Sequence, residues 1–418
     1  MSAPRVTAAL SRGEFITLVF TLTAAHTLGT IATMTLPAIA PIAAQAYGVP
    51  VYMVGYQAIF LALGIIIALV FGGNLSLRWG ATRVNQVGLV LLAAGTAMLS
   101  IPSVLTAMPA ALSVGIGYGA LTPSASHILV RFTPAHRRNV VFSIKQSGVP
   151  LGGVLTAMIM PVIAITVGWQ WTLWIDAIAA CAMALLMERW RKRWDDDRVP
   201  STPLAASPLG SMEIIWRQSR LRLMAIGGAG IVVSQICMQN YTVAMFYEEF
   251  SLSLVEAGLI LTVAQVGGVC GRLFWGWYAD RIRDALLVLL LLAATLIVTT
   301  LCMATLSSAW PKPFVYALFF VLGMTASGWN GVFLGEVARL APHGQVSPAT
   351  GGALFFVNVG SIAAPILFAT AYTTLGSYSA SFGLLVLPSI AAVICMYQAR
   401  RLVALPGAQA RNEKKPQS

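Results

Sequence analysis

The sequence predicts an all-α membrane protein: twelve transmembrane helices in two pseudo-symmetric six-helix bundles. Three observations predict it. The 418 residues are 58% hydrophobic and only 10% charged, where soluble domains carry about 25% charged residues. Apolar runs of about 20 residues, each long enough to cross a hydrocarbon core, recur between charged or Pro/Gly-rich breaks. The two halves of the chain also repeat each other.

In the first half the runs centre near Leu28, Leu63, Leu91, Gly115, Gly153 and Ala180, and in the second near Val233, Val266, Leu296, Leu322, Ala363 and Pro388. Pro37, Pro123, Pro150 and Pro365 fall inside them. Membrane helices tolerate proline where neighbours satisfy the freed carbonyls. Sides alternate at each crossing, so charge placement tests the count. With the N-terminus inside, 23 of the 26 Lys and Arg residues fall on the cytoplasmic side. Lys312 alone falls opposite, and Lys145 and Arg272 lie within spans. One missed or invented span would scramble that pattern. The expected organisation is a bundle over 1–187, a cytoplasmic connection over 188–221, a second bundle over 222–400 and a cytoplasmic tail over 401–418. The connection reads as a loop or surface helix. Its run "RWRKRWDDDR" fits a solvated, topology-fixing segment, with anionic lipid as the alternative.

The net charge of +12 therefore speaks of topology and not of nucleic acid. All five cysteines fall in apolar runs, where thiols are ordinarily buried and free. The N-terminus shows no short apolar region with a cleavage site, so no removed signal peptide is expected. No cofactor, metal set, nucleophile elbow or phosphate loop is legible, which argues against an enzyme.

The repeat is visible by eye. "HILVRFTPAHR" lies over "GEVARLAPHGQ", placing Arg131 over Arg339 and Pro134 over Pro342. "IKQSG" lies over "FVNVG", placing Gln146 over Asn358. "GGNLSLRWG" lies over "WGWYADRIR", placing Gly73 over Gly276. Repeated halves with a site at their interface are transporter architecture. "GWYADR" (Gly276 to Arg281) resembles the loop signature of the major facilitator superfamily, and the six-plus-six plan extends the resemblance over essentially the whole chain. It implies two bundles that rock around a central cavity, with Gly73, Arg78, Gly276, Asp280 and Arg281 at the cytoplasmic gate. The first copy departs from the signature: Leu77 stands where the family usually has Asp. A latching Asp–Arg contact is therefore expected only around Asp280 and Arg281. "GRLFWGWYAD" resembles the eighth helix of oxalate/formate exchangers and monocarboxylate transporters, in which an arginine at this spacing engages the substrate carboxylate. "GVPLGG" is similar to the Gly-Pro motif of exporters, but one residue short.

Ionisable residues within spans are functional hypotheses by default. Lys145 lies seven residues past Arg138, about 10 Å deeper by helical rise. It either faces a cavity, with Gln146 and Ser147 beside it, or snorkels to the interface. Arg272, eight residues before Asp280, lies about 12 Å inside its span. Arginine keeps its proton, so it must meet water, a carboxylate, a bound anion or helix carbonyls. Asp176, near three tryptophans (Trp169, Trp171, Trp174) that read as an interfacial belt, either carries a coupling proton or caps the span just below the interface. His26 either lines the cavity and relays a proton or is a structural histidine. His127 marks the cytoplasmic mouth, and Glu336 is spaced to pair with Arg339. Tyr118, Gln239, Asn330 and Asn358 are candidate cavity liners, with hydrogen bonding between helices as the alternative.

Lys145 and Arg272 together favour an anion. The expected function is secondary active transport of a small organic anion, a carboxylate, by proton symport or exchange. The expected setting is a cell inner membrane, with a monomer in the bilayer and both termini cytoplasmic. The rival expectations are a proton-coupled exporter of drugs or metabolites and a non-transporting receptor with a transporter fold.

Overall fold

A computed structural model describes residues 10–134, 137–202, 208–342 and 345–404. Among the described residues the regular structure is entirely helical. Eleven helical segments are long and apolar enough to cross a membrane. The predicted span not among them, centred near Leu91, is the helix Ala81–Met98. Its first turns carry Arg83, Asn85 and Gln86, which lower its hydropathy. Its 18 residues still rise about 27 Å. All twelve predicted centres thus lie in helices.

The chain divides into two compact units. The first comprises the described residues of Met1–Ser207 and Gln239–Val266. It contains α1 (Arg12–Ala38), α2 (Ala40–Tyr47), a 3-10 turn (Val51–Tyr56), α3 (Gln57–Trp79), α4 (Ala81–Met98), α5 (Val104–Phe132), α6 (Arg138–Gln146), α7 (Gly148–Thr166) and α8 (Trp169–Trp194). α1 opens with a capping box: the Ser11 hydroxyl accepts from the Glu14 N–H, and the Glu14 carboxylate accepts from the Ser11 N–H. Around α1 pack chiefly α7, α5, α8 and α6.

One predicted span is divided. Pro150 has no N–H to offer the carbonyl of Gln146, and the helical ladder breaks at Ser147, separating α6 from α7. Ser147 closes the break by donating from its hydroxyl to the Ile144 carbonyl at 2.6 Å. Broken helices in membrane transporters characteristically border binding sites.

The second unit comprises the described residues of Pro208–Met238 and Gly267–Ser418. α9 (Pro208–Arg217) is the helix within the central connection, and it packs on α15 (Val346–Leu375). α10 (Ser219–Glu248) and α11 (Leu254–Ile282) each give part of their length to either unit. α12 (Ala285–Ala304) packs on α16 (Tyr378–Leu384) and α17 (Val386–Ala404). Here too a span is broken: α13 (Lys312–Ala326) and α14 (Asn330–Leu340) are separated at Ser327, Gly328 and Trp329.

Candidate functional site

In the first unit the break after α6 places a polar cluster in the interior. Lys145 is 1% exposed, so it does not snorkel. Its Nζ donates to Gln146 Oε1 at 3.2 Å and lies 3.4 Å from His26 Nε2. The same His26 nitrogen is 3.1 Å from the Thr122 hydroxyl on α5. The Tyr118 ring is 5.6 Å from the imidazole, centroid to centroid. Among the described residues no acidic side chain pairs with Lys145. A buried ammonium without a counter-charge costs several kcal/mol.

Backbone packing fixes the cluster. α7 meets α1 through Gly148 and Gly152: a Cβ at either would lie 2.5 Å from the Thr23 carbonyl or 2.6 Å from the Thr27 carbonyl. Only glycine permits that approach. On α1, Thr23, Thr27 and Thr30 turn their hydroxyls back onto the carbonyls of Val19, Thr23 and His26. The surface offered to glycine is thus close, with backbone carbonyl oxygens nearest. "GVPLGG" is accounted for by this contact and by the break at Pro150.

Asp176 is 2% exposed, on the buried stripe of α8 with Thr172, Leu173, Ala177 and Ala180. α8 packs there on α4 and α1. Neither carboxylate oxygen has a hydrogen-bond partner among the described residues, which does not fit a cap at the interface. Trp169 leaves the expected aromatic belt: it is buried, with Tyr47 6.0 Å away, whereas Trp171 and Trp174 are exposed.

The basic ends of α1, α4, α5 and α8 meet around the three aspartates that follow α8. Asp195 accepts the N–H groups of Thr82 at 2.7 Å and Arg83 at 3.1 Å, capping α4. Burial nonetheless raises its carboxyl above the ordinary range, outweighing those bonds. Gly80 (φ +99°) makes the turn, and a Cβ there would lie 2.4 Å from the Asp195 carboxylate. Val199 N–H donates to the Leu77 carbonyl at 2.7 Å, and Arg78 donates to that of Thr202 at 3.1 Å. The connector thus supplies the carboxylate at the α3–α4 turn, where Leu77 replaces the usual Asp. His127 binds Asp197 at 2.7 Å. Arg131 binds Asp197 at 2.9 Å, the Trp194 carbonyl at 3.0 Å and also Asp196. Burial pushes the Asp197 carboxyl up, but the His127 bond and the Arg131 charge outweigh it and hold it below its ordinary value. Arg193 pairs with Glu14, and Arg83 with Glu188 at 3.5 Å. The acids of "RWRKRWDDDR" therefore dock on the first unit's own helices. Gly73 lies within α3.

In the second unit Arg272 is half-buried, and its Nε donates to the Ser327 carbonyl at 3.2 Å. Trp275 Nε1 donates to the Met324 carbonyl at 3.1 Å. Both side chains brace carbonyls released where α13 gives way to α14. Beside them, Trp329 Nε1 donates to Gln235 Oε1 at 3.0 Å, and Asn330 begins α14. Asn358 turns its amide back onto the Leu354 carbonyl of its own helix at 2.9 Å, a bond within α15 and not between helices. Glu336 and Arg339 form the expected pair at 2.7 Å. Asp280 and Arg281 are exposed and form no ion pair among the described residues. Gly276 has open space around it. Asp284 instead takes Arg400 at 2.9 Å and caps α12 through the Leu287 N–H.

Of the expected site residues, the first unit brings together Lys145, Gln146, His26 and Tyr118. Gln239, also of this unit, is half-buried. Thr122 joins the cluster unforeseen. Its signal was present, a hydroxyl beside Pro123 in a helix already suspected of lining a cavity. Asp195 was legible only as one acid in a charge run.

A family model described as Major Facilitator Superfamily matches residues 21–334 and again 229–417. Monocarboxylate transporter 11 of Mus musculus is 26% identical over 328 residues, covering 74% of this chain and 70% of the relative. The nitrite extrusion protein of Bacillus subtilis (strain 168) is 25% identical over 337 residues, covering 79% and 81%. Among solved structures, the peptide transporter POT in complex with sulfate superposes with a TM-score of 0.73 at 16% identity, covering 93% of this chain and 94% of that one. The structural likeness speaks for the fold alone.

Proposed function

The chain belongs to the Major Facilitator Superfamily and is a multi-pass membrane transporter; from that premise we propose that its substrate is a small organic anion, a carboxylate, moved by alternating access. The observation that carries the reading is Lys145, an ammonium 1% exposed and held by neutral groups. An anion docking there would supply the missing counter-charge through charge-assisted hydrogen bonds. The relatives' names fit: one is a monocarboxylate transporter and another a nitrite extrusion protein, both named for small anions.

In this mechanism the anion draws Lys145 Nζ out of its contacts with His26 and Gln146. A conformation that lets Lys145 and the anion pair is thereby stabilised over one that does not, the differential interaction any ligand-driven change requires. Arg272 is the second determinant of anion affinity, released from the Ser327 carbonyl or sharing its guanidinium with it. The charge asymmetry read from the sequence favours a cell inner membrane with both termini cytoplasmic.

Counterflow of labelled lactate, oxalate and nitrite in proteoliposomes tests the reading. Wild type is expected to accumulate at least one of the carboxylates, and Lys145→Met and Arg272→Ala to lose at least tenfold of that flux. Accumulation of nitrite alone would replace the carboxylate by an inorganic anion. Undiminished flux in both variants would overturn the assignment of the site.

A further inference from the structure

The geometry around His26 deepens the proposed function, and rests on it, by pointing to the group that couples anion to proton. An ammonium has three donors and no acceptor. A ring nitrogen that accepts from it must present a lone pair, and His26 Nε2, 3.4 Å from Lys145 Nζ and 3.1 Å from the Thr122 hydroxyl, takes that role in the neutral tautomer protonated at Nδ1. Adding a proton to Nε2 would aim a second donor at the ammonium and place two cations in contact in a buried, low-dielectric setting. Moving the proton from lysine to histidine leaves a neutral amine accepting from Nε2–H. Either way the pair holds one positive charge, and that charge belongs to the pair and not to one residue.

We propose that His26 and Lys145 are a dyad that carries one charge when empty and two when an anion is bound, so that each anion brings a proton with it. On anion arrival Lys145 turns its ammonium to the anion. The lone pair of His26 Nε2 then takes a proton from hydronium or buffer acid of the aqueous phase, and the new N–H donates to the Thr122 hydroxyl, 3.1 Å away. When the anion leaves, the ammonium returns and the proton is expelled from Nε2. One anion and one proton cross together.

Other titratable groups on the elements packed against α1 and α6 bear on the assignment. Tyr118 on α5 is a ring away from His26. Asp176 lies on the buried stripe of α8 that meets α1 and α4. Tyr47, Tyr52 and Tyr56 belong to α2 and the 3-10 turn. Glu14, Arg83, His127, Arg131 and Glu188 are paired at the basic end. α7 contributes none between Gly148 and Thr166. Of these groups, Asp176 is the competing proton carrier.

Calorimetric titration of the full-length protein in detergent decides the matter, with lactate, oxalate and nitrite each tried in two buffers of different ionisation enthalpy near pH 7. The difference between buffers counts protons taken up per anion. Wild type is expected to take up about one proton per anion bound. His26→Gln keeps a carbonyl acceptor for Lys145 but cannot titrate. It is expected to bind the same anion within about tenfold in affinity and to take up almost no proton. Thr122→Val, which removes the acceptor for the new N–H, is expected to lower the uptake while still binding. Anion binding by wild type without proton uptake would overturn the dyad and leave the proposed function standing, as would undiminished uptake in both variants. Failure of all three anions to bind wild type would overturn both. Asp176→Asn with proton uptake abolished would move the coupling proton to α8 and overturn the dyad.

Discussion

Gly148→Ala perturbs the contact on which the polar cluster is built. The new Cβ would lie 2.5 Å from the Thr23 carbonyl oxygen, 3.1 Å from the Thr27 hydroxyl and 3.3 Å from His26 Cβ. Ordinary contact begins at 3.4 Å, so α1 and α7 must part by about 0.9 Å. The nearest atom is backbone, and no side-chain rotation relieves it. Overpacking of this kind costs ~1–3 kcal/mol, against which alanine gains ~1 kcal/mol of helix propensity over glycine. The net loss is therefore ~0–2 kcal/mol, modest for the fold. The functional loss is larger, because Lys145 Nζ and His26 Nε2 start 3.4 Å apart and a further separation of that size takes them beyond hydrogen-bond reach. Thermal melting in detergent, with and without lactate, separates the two effects. Gly148→Ala should melt slightly below wild type and lose most of its lactate-induced shift. Gly351→Ala, where nothing lies within 4 Å of the new Cβ, should leave both readings intact. A Gly148→Ala protein with a wild-type melting point and a wild-type lactate shift would refute the close-packing argument.

Asp195→Ala leaves the first N–H groups of α4 without their carboxylate, an N-cap loss of ~0.5–2 kcal/mol; a melting point equal to wild type would show that water replaces it. Asp197 has its folded pKa below its ordinary value of 3.8, so its pairing stabilises the protein above that value and is lost as pH falls through the lower, folded one. The melting-point gap between wild type and Asp197→Asn should accordingly be full near neutral pH and close below about pH 4; a gap that widens in acid would contradict the pairing. Asp176→Asn replaces a buried carboxyl whose oxygens lack hydrogen-bond partners among the described residues. Its melting point should change little, since one buried polar group without partners replaces another of the same shape, and a large drop would reveal a partner specific to the carboxyl.

Much of the fold was legible because bilayer physics writes itself into composition. Apolar length and the side of each arginine located all twelve helices, including α4, whose polar first turns weaken its apolar signal. The break between α6 and α7 was half legible: Pro150 was noticed, but its consequence depends on which carbonyl it leaves unsatisfied. Lys145 could be read as snorkelling or as cavity-facing, because helical rise gives depth and not azimuth. In the structure α7 seats on α1 through Gly148 and Gly152, and on the adjoining α6 Lys145 is buried beside His26. Partners distant in sequence were invisible. Thr122 meets His26 from 96 residues away, and Asp195 caps α4 across 113 residues. Both contacts depend on helix register, which no local pattern encodes. The loop signature was read through Leu77, yet the carboxylate at that turn arrives from Asp195, at the start of the connector that follows α8.

The measurement that bears most directly on the central claim is melting of wild type and Lys145→Met across a panel of small carboxylates, nitrite and lipophilic cations. A ligand that binds only the folded state raises apparent stability by mass action. The account predicts that wild type is stabilised by a carboxylate. It predicts that Lys145→Met, freed of a buried cation, melts as high as wild type or higher and does not respond to that carboxylate. A carboxylate shift retained in Lys145→Met, or a wild-type response confined to lipophilic cations, would contradict it.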